Sequence, residues 1–340
     1  MCTCKCRFRL RKKTILNLTT CLNCLAKREQ DVDVNCSVAS LALKTLKLTQ
    51  IVIIRTTLLE TSISANYVVF KDGKQNPQEF MYKKTGNGCT FEFEGRKEIF
   101  KNQDYLALFF SHLKTILFPY TIISELSFSL VNNDVESGAR TLEAIKNTLS
   151  SKKPSLKINE LVFSFSGQPM FAPAIAITET LDSGPLKSIH LSTDKEEEMD
   201  CDGLTKLPHW KRIKSLLIEG FIVSAPLEHF LHLPEVTITM QSITIFNLKL
   251  LKKHFLGLKS EKKFVLKYKL DDGEIADNVH AVFEQASSTC EGIIKQWVYP
   301  KNGNMEIRVE YRQHHGFKDH KFTFIALRES QEQSILLTVD

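Results

Sequence analysis

Ile158-Asn159-Glu160-Leu161-Val162-Phe163 is the stretch whose reading decides the fold. Its order, apolar-x-x-apolar-x-apolar, is also that of Ile123-Ser-Glu-Leu126-Ser-Phe128 before it. It returns as Leu186-Lys-Ser-Ile189-His-Leu191, Ile213-Lys-Ser-Leu216-Leu-Ile218 and Leu233-Pro-Glu-Val236-Thr-Ile238. The last two apolar positions alternate with one residue between them, the period of a strand with one buried face. The first position turns the chain into that strand from a preceding loop. Successive copies lie 35, 28, 27 and 20 residues apart. An earlier copy, Leu43-Lys-Thr-Leu46-Lys-Leu48, stands apart from the rest.

Helical stripes fill the intervals. Leu142, Ile145 and Leu149 share one stripe, and Ile177 and Leu181 precede the third copy. Leu227, Phe230 and Leu231 precede the fifth, and Ile245, Leu248, Leu251 and Phe255 follow it. Strand, helix and strand at this interval is a repeat spacing with parallel strands and helices outside. The sequence therefore predicts an α/β fold: an irregular leucine-rich-repeat-like curved sheet with outer helices, flanked by small antiparallel β elements. The Asn or Cys that follows the strand in a strict leucine-rich repeat is absent, and the period is uneven. Another α/β packing of the same strands is the alternative.

The flanks carry other periods. Tyr67–Phe70, Phe80–Tyr82 and Thr90–Phe93 alternate at period two with Asp72-Gly73 and Gly86-Asn87-Gly88 between them, a small antiparallel meander. An amphipathic helix follows, with Leu106, Phe109, Phe110, Leu113, Ile116 and Leu117 on one side and Pro119 after its end. Ile293–Tyr299, Met305–Tyr311 and Lys321–Leu327 read as strands, with Asn302-Gly303 as a hairpin turn. The tail after Arg328 reads as loose, with a short last strand at Ile335–Val339. Three segments result: a basic, Cys-rich 1–60, an α/β domain over 61–290, and a C-terminal β hairpin region with a loose tail over 291–340.

Composition removes several classes. Of 340 residues, 43% are hydrophobic and 25% charged, and Gly and Pro number only 14 and 10, which excludes collagen-like and low-complexity chains. No apolar run approaches the length of a membrane span, so the sequence predicts no membrane partner. The net charge of +6 is local. Residues 1–28 hold eight basic residues and no acid, leaving 37 basic against 39 acidic residues elsewhere. The body therefore lacks the cationic surface that phosphate binding requires, and nucleic acid is not the predicted partner.

The tail admits three readings: a localisation or anionic-surface patch around Arg9–Lys13, a mitochondrial presequence, or a solvated tail without a role. Of nine Cys, six lie in the first 36 residues. Cys4, Cys6, Cys21 and Cys24 form C-x-C…C-x-x-C, a possible thiolate set for zinc, although the first pair is tight and no His is near. The scattered, odd remainder predicts free thiols in a reducing compartment, cytoplasmic or nuclear, rather than a disulfide framework.

No phosphate loop, dinucleotide fingerprint, nucleophile elbow or H-E-x-x-H motif is present. Glu228-His229-Phe-Leu-His232 offers two imidazoles without a third ligand and reads as solvent-facing histidines. Asp271-Asp272-Gly273-Glu274 lacks alternating calcium ligands and reads as a turn and helix start. Lys195–Glu198, with Asp194 before it and Asp200 and Asp202 after it, reads as a solvated charged loop. The chain is thus expected not to be an enzyme and to need no cofactor or metal.

Longer stretches carry a family resemblance. These are Leu207-Pro-His-Trp210 through Gly220-Phe221, Pro226-Leu-Glu-His-Phe230, Gly88-Cys-Thr-Phe91 with Asn102-Gln-Asp104 leading to Phe110, and Val236-Thr-Ile-Thr-Met240. Over about residues 60 to 285 the chain resembles the nematode FTH domain, an F-box-associated domain of unknown function. In that family an F-box in front binds the Skp-type adaptor of a cullin–RING ubiquitin ligase, and the FTH domain is assigned a protein-binding role. The resemblance therefore implies a ubiquitin ligase adaptor. Residues 1–60 contain no Leu-Pro signature, and the first proline is Pro77. The F-box is accordingly read as lost, replaced or mis-joined in the gene model, which puts the Skp-type adaptor in doubt as a partner.

The functional expectation is a non-enzymatic protein–protein interaction module with an unknown protein partner. In each copy, the residue between the last two apolar positions points away from the core. These are Ser127, Val162, His190, Leu217 and Thr237. Val162 and Leu217 are apolar where solvent favours polar residues, which marks either a binding patch or cover by a neighbouring element. The alternative function is a zinc- or nucleic-acid-binding N-terminal module on the same scaffold.

Overall fold

All template positions of the five copies quoted above are buried, at 0–3% exposure, in the computed structural model. The structure describes residues 50–328 except 72–73, 118–121, 134, 152–154, 168–170, 270–281, 284–287, 291–293, 302–304 and 314–318. The copy at Leu43–Leu48, the cysteines Cys4, Cys6, Cys21 and Cys24, the acidic turn at 271–274 and the last strand at 335–339 lie outside the described residues.

The copies become strands because their alternation buries one face. They are β6 (Ile122–Asn133), β7 (Lys157–Gly167), β8 (Ser188–Met199), β9 (Ser215–Val223) and β10 (Glu235–Met240). Two further strands extend the row: β1 (Gln50–Leu58) and β11 (Lys262–Lys269). These seven run parallel, in the order β1-β6-β7-β8-β9-β10-β11.

Antiparallel strands complete both ends. β2 (Ser62–Lys71), β3 (Lys74–Thr85), β4 (Gly88–Phe93) and β5 (Arg96–Lys101) follow β1 as a meander. At the other end β15 (Asp319–Arg328) pairs with β11, and β14 (Met305–Gln313), β13 (Ile294–Lys301) and β12 (Ser288–Cys290) follow outward. The result is one open sheet of 15 strands among the described residues, running from β12 to β5.

Helices lie on one side of it. They are α1 (Tyr105–Ile116), α2 (Val135–Ser150), α3 (Phe171–Thr178), the single turn α4 (Asp202–Thr205) and α5 (Ile245–Gly257). The stripe Leu142, Ile145 and Leu149 of α2 is buried in the same core as Leu126, Phe128, Leu161 and Phe163 of the strands. Leu248, Leu251 and Phe255 of α5 join that core. Two helices have side-chain caps that satisfy otherwise orphaned amides. Asp104 Oδ1 accepts from the Ala107 amide at 2.9 Å, and Thr244 Oγ1 from the Asn247 amide at 3.2 Å. The class is mixed α/β, with a large open sheet and few helices.

Two local expectations change. Asp194–Glu198 is not a loop: it is the second half of β8. A register shift between Ser192 and Glu197 carries the strand on to Glu197↔Phe221 and Met199↔Val223. Met199 is buried while Asp194, Lys195 and Glu196 face solvent, so one inward anchor holds a charged strand end in place. The Leu227–Phe230 stripe forms a single 3-10 turn rather than an α-helix. Pro226 and Pro234 bracket it, and a proline supplies no amide to continue a helix.

Candidate functional site

Parallel pairing sets Ser127 beside Val162, Val162 beside His190, His190 beside Leu217, and Leu217 beside Thr237. The five predicted residues therefore form one cross-strand row over β6 to β10. At about 4.8 Å between strands, the row is roughly 19 Å long. Arg55 extends it at one end, and Val265 and Thr323 at the other.

All five side chains are half-buried, whereas their sequence neighbours Leu126, Phe128, Leu161 and Phe163 are inaccessible. Val162 and Leu217 belong neither to the buried core nor to the partly buried residues packed against it. They occupy the sheet face opposite the helices. Val265 and Thr323 on the same face are more enclosed, at 5% and 7% exposure, so the face closes in towards β15.

Serines and charged side chains flank the row. Ser129, Ser164, Ser192 and Glu219 lie beside one another on one side, and Ser192 Oγ donates to Ser164 Oγ at 3.0 Å. Glu125, Glu160, Ser188, Ser215, Glu235 and Lys263 flank the other side. Ser215 Oγ donates to Glu235 Oε2 at 3.2 Å, and Ser166 Oγ to Asp194 Oδ2 at 2.6 Å.

Charge runs along both sides of the row. Arg55 makes a two-pronged pair with Glu125, at 2.6 and 2.7 Å. That hydrogen bonding, and then the Glu125 charge, raise the Arg55 pKa above its ordinary value. Glu219 lies 3.5 Å from Lys267 Nζ and 3.9 Å from His190 Nε2. The His190 Nε2 atom is itself buried and has no hydrogen-bond partner. The row thus offers aliphatic contact at Val162 and Leu217, hydroxyl donors and acceptors around them, and one imidazole between them.

The other histidines serve the framework. His232 Nε2 meets the Trp210 carbonyl at 3.0 Å, and its ring lies edge-on to the Trp210 ring. His209 is fully buried, with Nε2 3.3 Å from the Leu181 carbonyl, and burial lowers its pKa. His229 is half-buried rather than solvent-facing, and its Nδ1 has no hydrogen-bond partner. Among the described residues, no group of three or more His, Cys, Asp or Glu is placed to hold a metal ion.

Two arrangements were not predicted from sequence. Lys262 is buried at the start of β11, where Nζ donates to the Leu231 carbonyl and lies 3.0 Å from His254 Nε2. Burial pushes its amine down to about 8, and burial and then the Lys262 charge lower His254. The pair ties β11 to α5 and to the turn before β10. The second is the outer stripe of α5, where Phe246 and Leu256 are 67% and 41% exposed. No apolar period marks that stripe in the sequence, because Lys249 and Lys253 occupy the positions between Phe246 and Leu256.

A one-sided sheet with helices behind it and a half-buried row in front defines a scaffold that exposes a strand face. Residues 139–286 match the FTH domain. The match takes in somewhat less than half of the chain; Val162, His190, Leu217 and Thr237 lie inside the matched span while Ser127 precedes it. The span starts within α2, later than the expected 60, and ends just beyond Phe283. No curated protein and no solved structure matches the chain.

Proposed function

We propose that the protein is a non-enzymatic protein–protein interaction module whose docking surface is the uncovered sheet face. The carrying observation is the row itself: Val162 and Leu217 sit outside the core, one strand to either side of His190, on a face lined with serine hydroxyls and glutamate carboxylates. An apolar centre within a polar and charged rim is the anatomy of a protein interface. A row of aligned strands fixes those groups rigidly, so little side-chain entropy is lost on docking.

We read the scaffold as leucine-rich-repeat-like in its logic. Each parallel strand from β6 to β11 pairs with the next in chain order, and the connections lie behind. Scaffolds of that kind bind through their extended strand surfaces. Because the FTH domain is commonly F-box-associated, the reading extends to substrate recognition for a cullin–RING ubiquitin ligase in the cytoplasm or nucleus. No described helix is long and apolar enough to cross a membrane.

The test is photo-cross-linking of the full chain in cells, with the reactive residue placed at position 162 or 217. Both positions are expected to trap the same protein, and the same complex is expected to contain a Skp-type adaptor. Adducts at neither position would remove the sheet face as a docking surface. A common adduct without the adaptor would leave a free-standing binding module and remove the ligase assignment.

A further inference from the structure

Helix α5 faces two ways. Leu248, Leu251 and Phe255 hold it to the core, which leaves a second stripe turned outward. That stripe is Phe246, Lys249, Lys253 and Leu256, at i, i+3, i+7 and i+10. This is the spacing at which a helix packs lengthwise against another helix. All four side chains are exposed, Phe246 at 67%. The exposed phenylalanine and leucine lie about 15 Å apart along the helix, with Lys249 and Lys253 between them.

The surface around the stripe is basic and only shallowly indented. A groove of about 500 Å³ runs between α5 and Val282, and one of about 380 Å³ runs on its other side against Leu231 and Leu258. Lys253 and Gly257 line both grooves, and a Cβ built on Gly257 would meet nothing within 4 Å. Residues 245–257 contain three lysines and no acidic residue.

We infer that the outer face of α5 is a second docking site, and that its occupant is an acidic amphipathic helix of a partner protein. The partner's apolar residues would cover Phe246 and Leu256, and its central carboxylates would meet Lys249 and Lys253. A second copy of this face is disfavoured because antiparallel apposition brings lysines against lysines. This site lies on the helix side of the sheet, so it stands or falls independently of the strand-face reading.

The probe is a synthetic acidic helix of about three heptads with a Leu-Glu-Glu-Leu seam, titrated against the full-length protein by fluorescence anisotropy. Saturable binding is expected. Lys249→Glu with Lys253→Glu is expected to weaken it at least about tenfold, and a Leu-Lys-Lys-Leu peptide to restore binding to that variant alone. Gly257→Leu, which fills the junction of the grooves, is expected to weaken binding without changing the melting temperature. Equal binding of the acidic and basic peptides by the wild-type protein, or of neither, overturns the inference. So does binding to phosphatidylserine vesicles without peptide binding, or self-association that Phe246→Glu abolishes.

Discussion

Gly220 sits at φ +78°, and a Cβ placed on it would lie 2.0 Å from the Thr193 carbonyl oxygen. The close approach falls at the register shift that lets β8 run on past Ser192. Gly220→Ala is expected to cost about 2–4 kcal/mol, from strain and clash together. Gly95 has φ +73° but open space around it, so Gly95→Ala is expected to cost about 1 kcal/mol. Gly86 has neither constraint, and Gly86→Ala should leave the denaturation midpoint unchanged.

His112 is the second residue-scale case. Its Nδ1 is 3.0 Å from the Tyr82 hydroxyl, and burial lowers its pKa to about 4, with Glu98 opposing. A base with a depressed folded pKa binds fewer protons folded than unfolded. Its contribution to stability is therefore complete above about pH 6.5 and is lost as pH falls towards 4. Acidification from pH 7 to pH 5 is expected to cost about 2 kcal/mol through this group, and His112→Phe to flatten that part of the stability profile. Neither Gly220 nor His112 was legible in the sequence, because each depends on what lies across from it in space. Val162 and Leu217 were legible, because apolar residues at the outward position of a strand contradict their own alternation.

At the scale of elements, legibility followed burial. Strands β6 to β10 were readable because the template put three buried positions in six residues of each. Strand β11 was not, since Glu261 stands at the template's first position and lysines crowd Phe264 and Leu266. Strand β1 was missed because Ile51–Ile54 is a continuous apolar run, without the alternation that identifies a half-buried strand. The face assignment makes a sharp prediction for two adjacent residues of β7. Phe163→Ala is expected to cost about 3–5 kcal/mol, because it empties a fully buried site. Val162→Ser, one residue earlier but facing away from the helices, is expected to cost less than about 1 kcal/mol. Urea denaturation of both variants measures the contrast. Helix capping is testable in the same way: Asp104→Ala and Thr244→Ala should each lower stability by about 1 kcal/mol.

At the scale of the molecule, one core lies between the helices and the inward strand face, and among the described residues no helix lies over the other face of the sheet at its parallel centre. The antiparallel ends were read as small flanking elements, and β2 and β15 pair directly with β1 and β11 and continue the same ladder. Sequence periodicity identifies strands but not their neighbours, so the continuity had to come from the pairing. The proposed docking role rests on that one-sidedness, and the most direct test is a loss-of-binding comparison. The full-length protein and its Val162→Lys/Leu217→Lys variant would be purified from cells in parallel and their bound proteins quantified by mass spectrometry. With both proteins melting at the same temperature, the uncovered-face reading predicts that the protein cross-linked at 162 and 217 disappears from the variant. Its retention at wild-type stoichiometry by an intact, folded variant would contradict that reading.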